Sequence, residues 1–300
     1  MNIWERIIDF ERSWRLHFDL FGMTVDIQSE RVFLVAVAAT VLLLALPLVL
    51  ISRSTEIRRR WMTWALIMPV VGIPLWFGRG STAVLAAAMA LLAVREFTRM
   101  AKLGRAETLL LFASAVGFPA MALWWPEALY VAAPLTVLAS AIPSILQGDA
   151  ENGPWRAAMS GFAAIWICWS LSHLVINWEL SAYICFGAAA GDVAAWCGGK
   201  GLRRFAWARQ PLSPLSPNKT MGGLVGAVVG TALVLLLLGN ITVALVIAIG
   251  LGGVAGDLLE SMFKRQAGVK DAGQWLPGFG GILDRVDSLL LALPFATLLT

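Results

Sequence analysis

Long apolar runs alternate with short polar segments along almost the whole chain. A membrane-spanning helix needs about 20 mostly apolar residues, and ten runs approach that length when they are judged by apolar content alone. They lie at about residues 32–52, 61–78, 81–94, 108–125, 127–147, 157–176, 180–198, 221–238, 240–256 and 286–300. Several are short or contain glycine and proline, which tilted, broken or merged helices would accommodate. The pattern therefore predicts an all-α polytopic integral membrane protein with about 9–10 transmembrane helices.

The first 31 residues follow a different pattern, in which acidic and basic residues are mixed with large apolar ones. Trp4, Ile7, Trp14 and Phe18 are among the apolar residues at roughly helical spacing. This spacing predicts an amphipathic helix lying on the bilayer, with a partner-binding helix as the alternative. A cleavable signal peptide is not expected, because acidic residues interrupt the segment and the first long apolar run begins only near Phe33.

The composition agrees with a membrane protein, since 59% of the 300 residues are hydrophobic and only 14% are charged. A net charge of +4 would suggest nucleic acid as the partner of a soluble protein. Here no nucleic-acid partner is expected, because the position of the cations is better explained by membrane topology. The three cysteines show no CxxC spacing and there are only two histidines. A histidine-rich metal site and a Ser-His-Asp triad therefore have little support.

The basic loops assign an orientation to the predicted helices. Most of the 23 basic residues fall on one side of the alternation, and by the positive-inside rule that side is cytoplasmic. The loops after the first, third and seventh runs contain Arg53, Arg58, Arg59, Arg60, Arg95, Arg99, Lys102, Arg105, Lys200, Arg203, Arg204, Arg209 and Lys219. This topology places the amino terminus outside. It places residues 256–288 at the cytoplasmic face of an inner membrane.

The stretch 256–288 concentrates charges, glycines and a proline in an otherwise apolar protein. A helix over its first part would put both signs of charge on one face, through Asp257, Glu260, Ser261 and Lys264. After a glycine-rich turn, a second helix would again place polar residues on one face: Asp284, Asp287 and Ser288. Carboxylates that meet around Mg²⁺ beside lysine and arginine suit transfer between phosphate groups, because the cations neutralise the phosphoryl oxygens. A solvated loop whose charges only maintain the topology is the alternative.

Two further polar features lie on the same side. Asp192 is a carboxylate within an apolar run, where the cost of burying a charge indicates a function. The alternatives are a helix-end carboxylate or an ion pair with Lys200 or a neighbouring helix. Lys219 and Thr220 end a Pro and Ser loop before a helix, where they would hold an anion or form an ordinary capped turn. Stripes of small residues predict close helix packing rather than chemistry: Gly187, Gly191, Ala195 and Gly199, and Gly222, Gly226 and Gly230.

The stretch 256–288 resembles the signature of the phosphatidate cytidylyltransferase (CDP-diacylglycerol synthase) family, which pairs a serine and Lys-Arg with Lys-Asp and then Pro-x-His-Gly-Gly-x-x-Asp-Arg-x-Asp. The matching residues are Ser261, Lys264, Arg265, Lys270, Asp271, Pro277, Gly280, Gly281, Asp284, Arg285 and Asp287. A second family pattern, an Asp in a Gly-rich helix followed by Gly-Lys and Ser-Pro-x-Lys-Thr, matches Asp192, Gly199, Lys200, Ser216, Pro217, Lys219 and Thr220. Phe279 replaces the family histidine, and Gly222 replaces an acidic residue that often follows the second pattern.

The resemblance covers about residue 58 to the carboxyl end. The expected domains are therefore residues 1–57, an amphipathic segment plus an extra transmembrane helix, and residues 58–300, a cytidylyltransferase-like membrane domain with its active site at the cytoplasmic face. The added segment would recruit a partner or simply anchor the chain.

The resemblance implies an enzyme of phospholipid biosynthesis that transfers CMP from CTP to phosphatidate, giving CDP-diacylglycerol and pyrophosphate, with Mg²⁺ as cofactor. It implies Asp257 and Asp271 as the metal ligands. Further ligands and phosphate-neutralising groups would be Lys264, Arg265, Lys270, Asp284, Arg285 and Asp287. Substrate-binding residues would be Asp192, Ser216, Lys219, Thr220, Ser261, Gly280 and Gly281. The implied partners are CTP, phosphatidate or a related anionic lipid, and membrane lipids, with a homodimer left open.

Several alternatives stay open. Phe279, Gly222 and the added amino-terminal segment allow a paralogue that uses another phospholipid or phospho-sugar acceptor, or a membrane scaffold with weakened catalysis. If the family histidine donates to a phosphate oxygen or moves a proton, Phe279 does neither; if it packs the turn, phenylalanine can replace it. A transporter would be expected to show inverted halves with broken helices at the midplane, and the sequence shows no such symmetry.

Overall fold

The computed structural model describes residues 15–20, 23–51, 55–273 and 280–300, and within them the chain is almost entirely helical. Besides the helices there is an antiparallel hairpin formed by β1 (Arg15–Leu20) and β2 (Met23–Gln28), and an isolated bridge pairs Pro211 with Thr220. The register of the hairpin pairs Arg15 with Gln28 and Leu20 with Met23. The predicted all-α fold class is confirmed for the described residues from residue 29 onward.

The amphipathic helix predicted for the first 31 residues is wrong for residues 15–28, which form the hairpin. Leu16, Phe18 and Leu20 alternate with polar residues along β1, and this period of two is the period of a strand. Large apolar residues in the same stretch also fit a helical spacing, so the sequence contains both periods and the structure follows the period of two. Residues 1–14 lie outside the described residues.

The chain divides into two compact units, Met1–Gly78 and Arg79–Thr300. The first unit contains the hairpin, α1 (Ser29–Ile51) and α2 (Thr55–Phe77). These two helices pack against each other, and Nε1 of Trp61 donates a hydrogen bond to the Leu42 carbonyl at 3.1 Å. The domain boundary expected after residue 57 stays a prediction.

The second unit is a bundle of helices. They are α3 (Arg79–Met100), α4 (Arg105–Trp124), α5 (Leu129–Ala139), α6 (Ile142–Leu146), α7 (Gly153–Ala163), α8 (Ser170–Ile176), α9 (Trp178–Gly201), α10 (Met221–Leu237), α11 (Val243–Gln266) and α12 (Leu283–Leu299). A π-helical turn, Ala164–Trp169, connects α7 to α8. Short 3₁₀ turns occupy Pro126–Ala128 and Trp207–Arg209.

Each of the ten apolar runs predicted from the sequence coincides with helical structure. In the described part of the chain, seven segments are long and apolar enough to cross a membrane: Leu34–Ile51, Arg79–Met100, Arg105–Trp124, Pro126–Leu146, Gly153–Ile176, Trp178–Gly201 and Val243–Gln266. Trp61–Phe77 and Met221–Leu237 are shorter apolar helices. The protein is therefore an integral membrane protein with many spans.

Small residues bring α9 and α10 close together. A Cβ at Gly226 would collide with the Ala194 carbonyl and would lie 3.0 Å from Cα of Gly198. Thr231 Oγ1 donates to the Gly187 carbonyl at 3.3 Å across the same contact. The packing role predicted for the small-residue stripes is confirmed, because only residues without long side chains allow this approach.

Glycines also set the register between α11 and α12, which run antiparallel. A Cβ at Gly256 would collide with the Asp287 carbonyl, and a Cβ at Gly253 would lie 3.5 Å from the side chain of Ser288. The backbones of the two helices can approach this closely because no side chain intervenes. The register places the polar face of α11 against the first turns of α12.

Candidate active site

Charged residues gather where α11 ends and α12 begins. The helix predicted for this stretch is confirmed as part of α11, which therefore has a polar face formed by Asp257, Glu260, Ser261 and Lys264. Asp284 and Asp287 come from the first two turns of α12. The sequence placed these residues on two helix faces, and the antiparallel packing of the helices makes the two faces meet.

Three of the carboxylates form a compact set. Oxygens of Asp257, Glu260 and Asp287 all lie within 4.8 Å of one another; we call these residues the acidic group. Glu260 is fully buried, Asp287 is buried and Asp257 is partly exposed. Oε1 of Glu260 accepts no hydrogen bond from any described residue. Like charges at this spacing repel each other, and a cation that prefers oxygen ligands would offset the repulsion.

Asp192 of α9 adds a fourth carboxylate beside the acidic group. Its charge interacts with the charges of Asp257 and Asp287, and it is also attracted by Lys219 and Arg285. The structure therefore brings Asp192 to the place that the sequence proposed for it, among the charged residues of α11 and α12.

Two lysines connect the elements that surround the acidic group. Lys219 forms an ion pair with Asp257, and its Nζ donates to Oγ of Ser261 at 3.2 Å. Lys264 forms an ion pair with Glu260, and its Nζ lies 2.8 Å from Oδ1 of Asp284. Lys219 thereby ties the segment before α10 to α11, and Lys264 ties α11 to α12.

Asp284 is held firmly by its neighbours. Its Oδ2 accepts hydrogen bonds from the backbone N–H groups of Gly281 at 2.7 Å and Ala272 at 2.9 Å. Gly280, with φ of +78°, adopts the left-handed conformation that glycine tolerates and turns the chain at this point. Burial raises the pKa of Asp284, but the hydrogen bond from Lys264 and the two backbone hydrogen bonds lower it by more, so its pKa lies below the usual aspartate range. Asp284, in the first turn of α12 and before the apolar run, is thus an anion that orders the turn.

The segment 216–220 presents Lys219 to the site. Thr220 is the N-cap of α10, and its Oγ1 accepts a hydrogen bond from the Gly223 N–H at 3.3 Å. Ser216 is buried, and its carbonyl accepts the Lys219 N–H at 3.0 Å. The Thr220 hydroxyl therefore acts as a helix cap, while the Lys219 side chain extends to α11.

Four other residues of the predicted site are exposed: Arg265, Lys270, Asp271 and Arg285. Asp271 is not one of the three carboxylates of the acidic group. It lies beside Gly280, because a Cβ added at Gly280 would be 3.4 Å from Cβ of Asp271. Pro277 and Phe279 lie outside the described residues. The roles that the resemblance implies for these residues stay predictions.

Two buried glutamates belong to this region without having been assigned a role from the sequence. The helical spacing put Glu260 on the same face as Asp257, which was the available signal. Glu96 of α3 is 186 residues before Ile282, yet its Oε1 accepts the Ile282 N–H at 3.0 Å. Glu96 follows the predicted run 81–94 and lies between Arg95 and Arg99, so no sequence pattern distinguished it from an ordinary loop residue.

The fold and the site define an integral membrane protein with a cluster of carboxylates and lysines at one end of its helices. The chain belongs to the cytidylyltransferase family, whose model matches residues 58–300.

Relatives with curated names match parts of the chain. The phosphatidate cytidylyltransferase of Pseudomonas aeruginosa is 34% identical over 170 residues, which cover 49% of this chain and 59% of that protein. The phosphatidate cytidylyltransferase of Synechocystis sp. is 44% identical over 122 residues, 38% of this chain and 39% of that protein. The protein of Escherichia coli called uncharacterized protein YnbB is 35% identical over 152 residues, 47% of this chain and 50% of that protein. The chain thus matches about half the length of these relatives.

Proposed function

We propose that this protein transfers CMP from CTP to phosphatidate, giving CDP-diacylglycerol and pyrophosphate. The observation that carries the proposal is the meeting of Asp257, Glu260 and Asp287 within 4.8 Å of one another, beside two lysines, in a member of the cytidylyltransferase family. The names of the P. aeruginosa and Synechocystis relatives support phosphatidate as the acceptor. The enzyme would act in an inner membrane, with its site at the cytoplasmic face, where CTP is present.

Mg²⁺ is the cofactor that we propose for the acidic group. The donor set fits this ion, because it consists of carboxylate oxygens, one of which is buried and accepts no hydrogen bond from a described residue. Asp257, Glu260 and Asp287 would hold the ion, which when bound supplies positive charge to the phosphoryl oxygens. Asp271 was expected as a ligand; its exposed position favours a role for it at the entrance, and its part in metal binding stays a prediction.

The cations around the acidic group would bind and orient the two anionic substrates. The segment 200–219 before α10 has five basic residues and no acidic one, so this segment attracts phosphates. The positive charges of Lys219 and Arg285 attract the carboxylate of Asp192. These two residues are the ones that we expect to contact the phosphates of CTP and phosphatidate.

The reaction needs an in-line arrangement of the two phosphates more than it needs a protein nucleophile. A phosphate oxygen of phosphatidate would form a bond to the α-phosphorus of CTP, and the bond from that phosphorus to the bridging oxygen of pyrophosphate would break. Lys264 and Asp284 would keep α11 and α12 in register, so that the acidic group stays assembled during the exchange. Lateral access from the bilayer would suit a lipid acceptor.

Other features keep the roles proposed for them from the sequence. Arg265 and Lys270 would neutralise phosphates near the exposed rim, and Gly280 and Gly281 would let the backbone approach a substrate. Residues 1–57 would form an anchor separate from the catalytic domain 58–300, and membrane lipids would surround both. A homodimer is a further proposal for the assembled form.

The test of this function is product formation by the purified full chain in detergent with CTP, Mg²⁺ and phosphatidate. We expect release of pyrophosphate and a CDP-lipid. Asp257→Asn is expected to lower the rate by about 100-fold or more, because metal charge stabilisation contributes several kcal/mol. The matched control is Asp149→Asn, which changes a carboxylate paired with Arg156 outside the acidic group. Equal rates for the two variants would contradict the proposed site.

Phe279→His provides the second arm of the experiment. Product from the unmodified chain would show that the family histidine is dispensable. If neither form uses phosphatidate, the proposed acceptor is wrong, and other anionic lipids or phospho-sugars assayed with CTP then identify the acceptor class.

A further inference from the structure

Glu96 lies near the end of α3 and is only 1% exposed. Its Oε1 accepts the Ile282 N–H at 3.0 Å, and its Oε2 accepts the Leu283 N–H at 2.8 Å. These N–H groups belong to the start of α12, where a helix has no backbone partners of its own. Ile282, the N-cap residue, makes no side-chain cap hydrogen bond. A carboxylate from a distant helix therefore caps α12.

Two glycines allow the chain before α12 to close around this carboxylate. A Cβ at Gly273 would lie 2.8 Å from Cδ of Glu96, and a Cβ at Gly281 would lie 2.6 Å from it. Neither position has room for a larger residue while Glu96 stays in place. Because both oxygens of Glu96 accept backbone hydrogen bonds, the residue acts on the site through α12 rather than as a metal ligand.

The same part of α3 also contacts α11. The ring of Phe97, the residue after Glu96, packs edge-to-face on Phe263 with 5.3 Å between ring centroids. Phe263 is the residue before Lys264. Helix α3 thus contacts α11 through Phe97 and the start of α12 through Glu96. These two contacts fix the position of α12 relative to α11.

We propose that Glu96 is a positioning residue for the acidic group. By holding the first turn of α12, it places Asp284 against Lys264 and brings Asp287, one turn later, to the carboxylates of α11. Loss of the two hydrogen bonds would release this turn and displace both aspartates. The expected effect of Glu96 on catalysis rests on the function proposed above. Its expected effect on cation binding by the acidic group does not.

The experiment compares Glu96→Gln with Glu107→Gln in the purified full chain. Glu107 is a matched control, since it is also a fully buried glutamate and pairs with Arg156 at 3.3 Å away from the acidic group. Binding of Mn²⁺, used as a spectroscopic probe without substrates, is measured by electron paramagnetic resonance of the free ion. Thermal unfolding, kcat and KM for phosphatidate are measured on the same preparations.

Glu96→Gln is expected to weaken Mn²⁺ binding by about 10- to 100-fold, the range typical of residues behind metal ligands. It should also lower kcat with little change in KM for phosphatidate. Glu107→Gln is expected to lower thermal stability but to leave Mn²⁺ binding and kcat unchanged. If Glu96→Gln lowers only thermal stability, Glu96 is merely a structural cap and the proposal is wrong.

Glu96→Asp keeps the charge on a shorter side chain and is expected to give an intermediate Mn²⁺ affinity. If Glu96→Gln does not fold, the Mn²⁺ affinity of Glu96→Asp tests the proposal instead. An affinity equal to that of the unmodified chain would then contradict the positioning role. If the unmodified chain binds Mn²⁺ but forms no CDP-lipid, the proposed function fails. The weaker Mn²⁺ binding of Glu96→Gln would still support the positioning role in that case.

Discussion

Replacing Lys264 by methionine should destabilise the protein far more than the same change at an exposed lysine. The Lys264 side chain is 14% exposed, and its partners Glu260 and Asp284 are 0% and 6% exposed. At 2.8 Å from Asp284, the Coulomb attraction is roughly 6 kcal/mol with an effective dielectric constant of about 20. Desolvation of the ammonium group offsets part of this. The expected loss in unfolding free energy is about 3–5 kcal/mol, because two buried carboxylates lose their common cation.

Thermal unfolding of the full chain in detergent, followed by circular dichroism at a fixed scan rate, measures this loss. At about 2–4 °C per kcal/mol, the apparent Tm of Lys264→Met should fall by roughly 6–20 °C. Lys102→Met is the control, since Lys102 is exposed and exposed charges contribute about 0–1 kcal/mol. Adding Glu260→Gln to Lys264→Met should recover part of the loss by removing one stranded charge. Equal Tm values for the two single lysine variants would refute the argument.

Three further predictions use the same unfolding measurement. Gly226→Ala should lower the free energy of unfolding by about 1–3 kcal/mol, because the methyl group forces α9 and α10 apart. Gly117→Ala is the control and should be neutral or stabilising, since no neighbouring atom lies within 4 Å of the added methyl group. Equal effects of the two substitutions would contradict the packing role. Because the pKa of Asp284 is lower in the folded than in the unfolded protein, its ionised carboxylate stabilises the fold above the unfolded pKa of about 3.9. This stabilisation is lost as the pH falls through the folded pKa. Asp284→Asn should therefore lose less Tm than the unmodified chain as the pH falls below about 4, and parallel pH profiles would refute this. Arg156→Met should cost about 3–5 kcal/mol, since it leaves the buried Glu107 without its cation; an unchanged Tm would count against that ion pair.

Much of the architecture could be predicted because it depends on contiguous residues. Apolar runs of about 20 residues locate membrane helices, and the 3.6-residue period places Asp257, Glu260 and Lys264 on one face of α11. The resemblance added a chemical expectation to that face. The helical interpretation is wrong for the β1–β2 hairpin, because an alternation of period two and a helical period are both present in the same few residues.

The tertiary structure alone decided which of the charged residues meet. Asp287 joins Asp257 because glycines in α11 admit the backbone of α12, while Asp271, near both in the sequence, remains exposed. Glu96 comes to the same place from 186 residues away in the chain. The sequence by itself determined that Asp192, an acid in an apolar run, must find a partner, since an unpaired buried charge is costly. The identity of that partner followed from helix packing, which depends on side-chain shapes from distant parts of the chain.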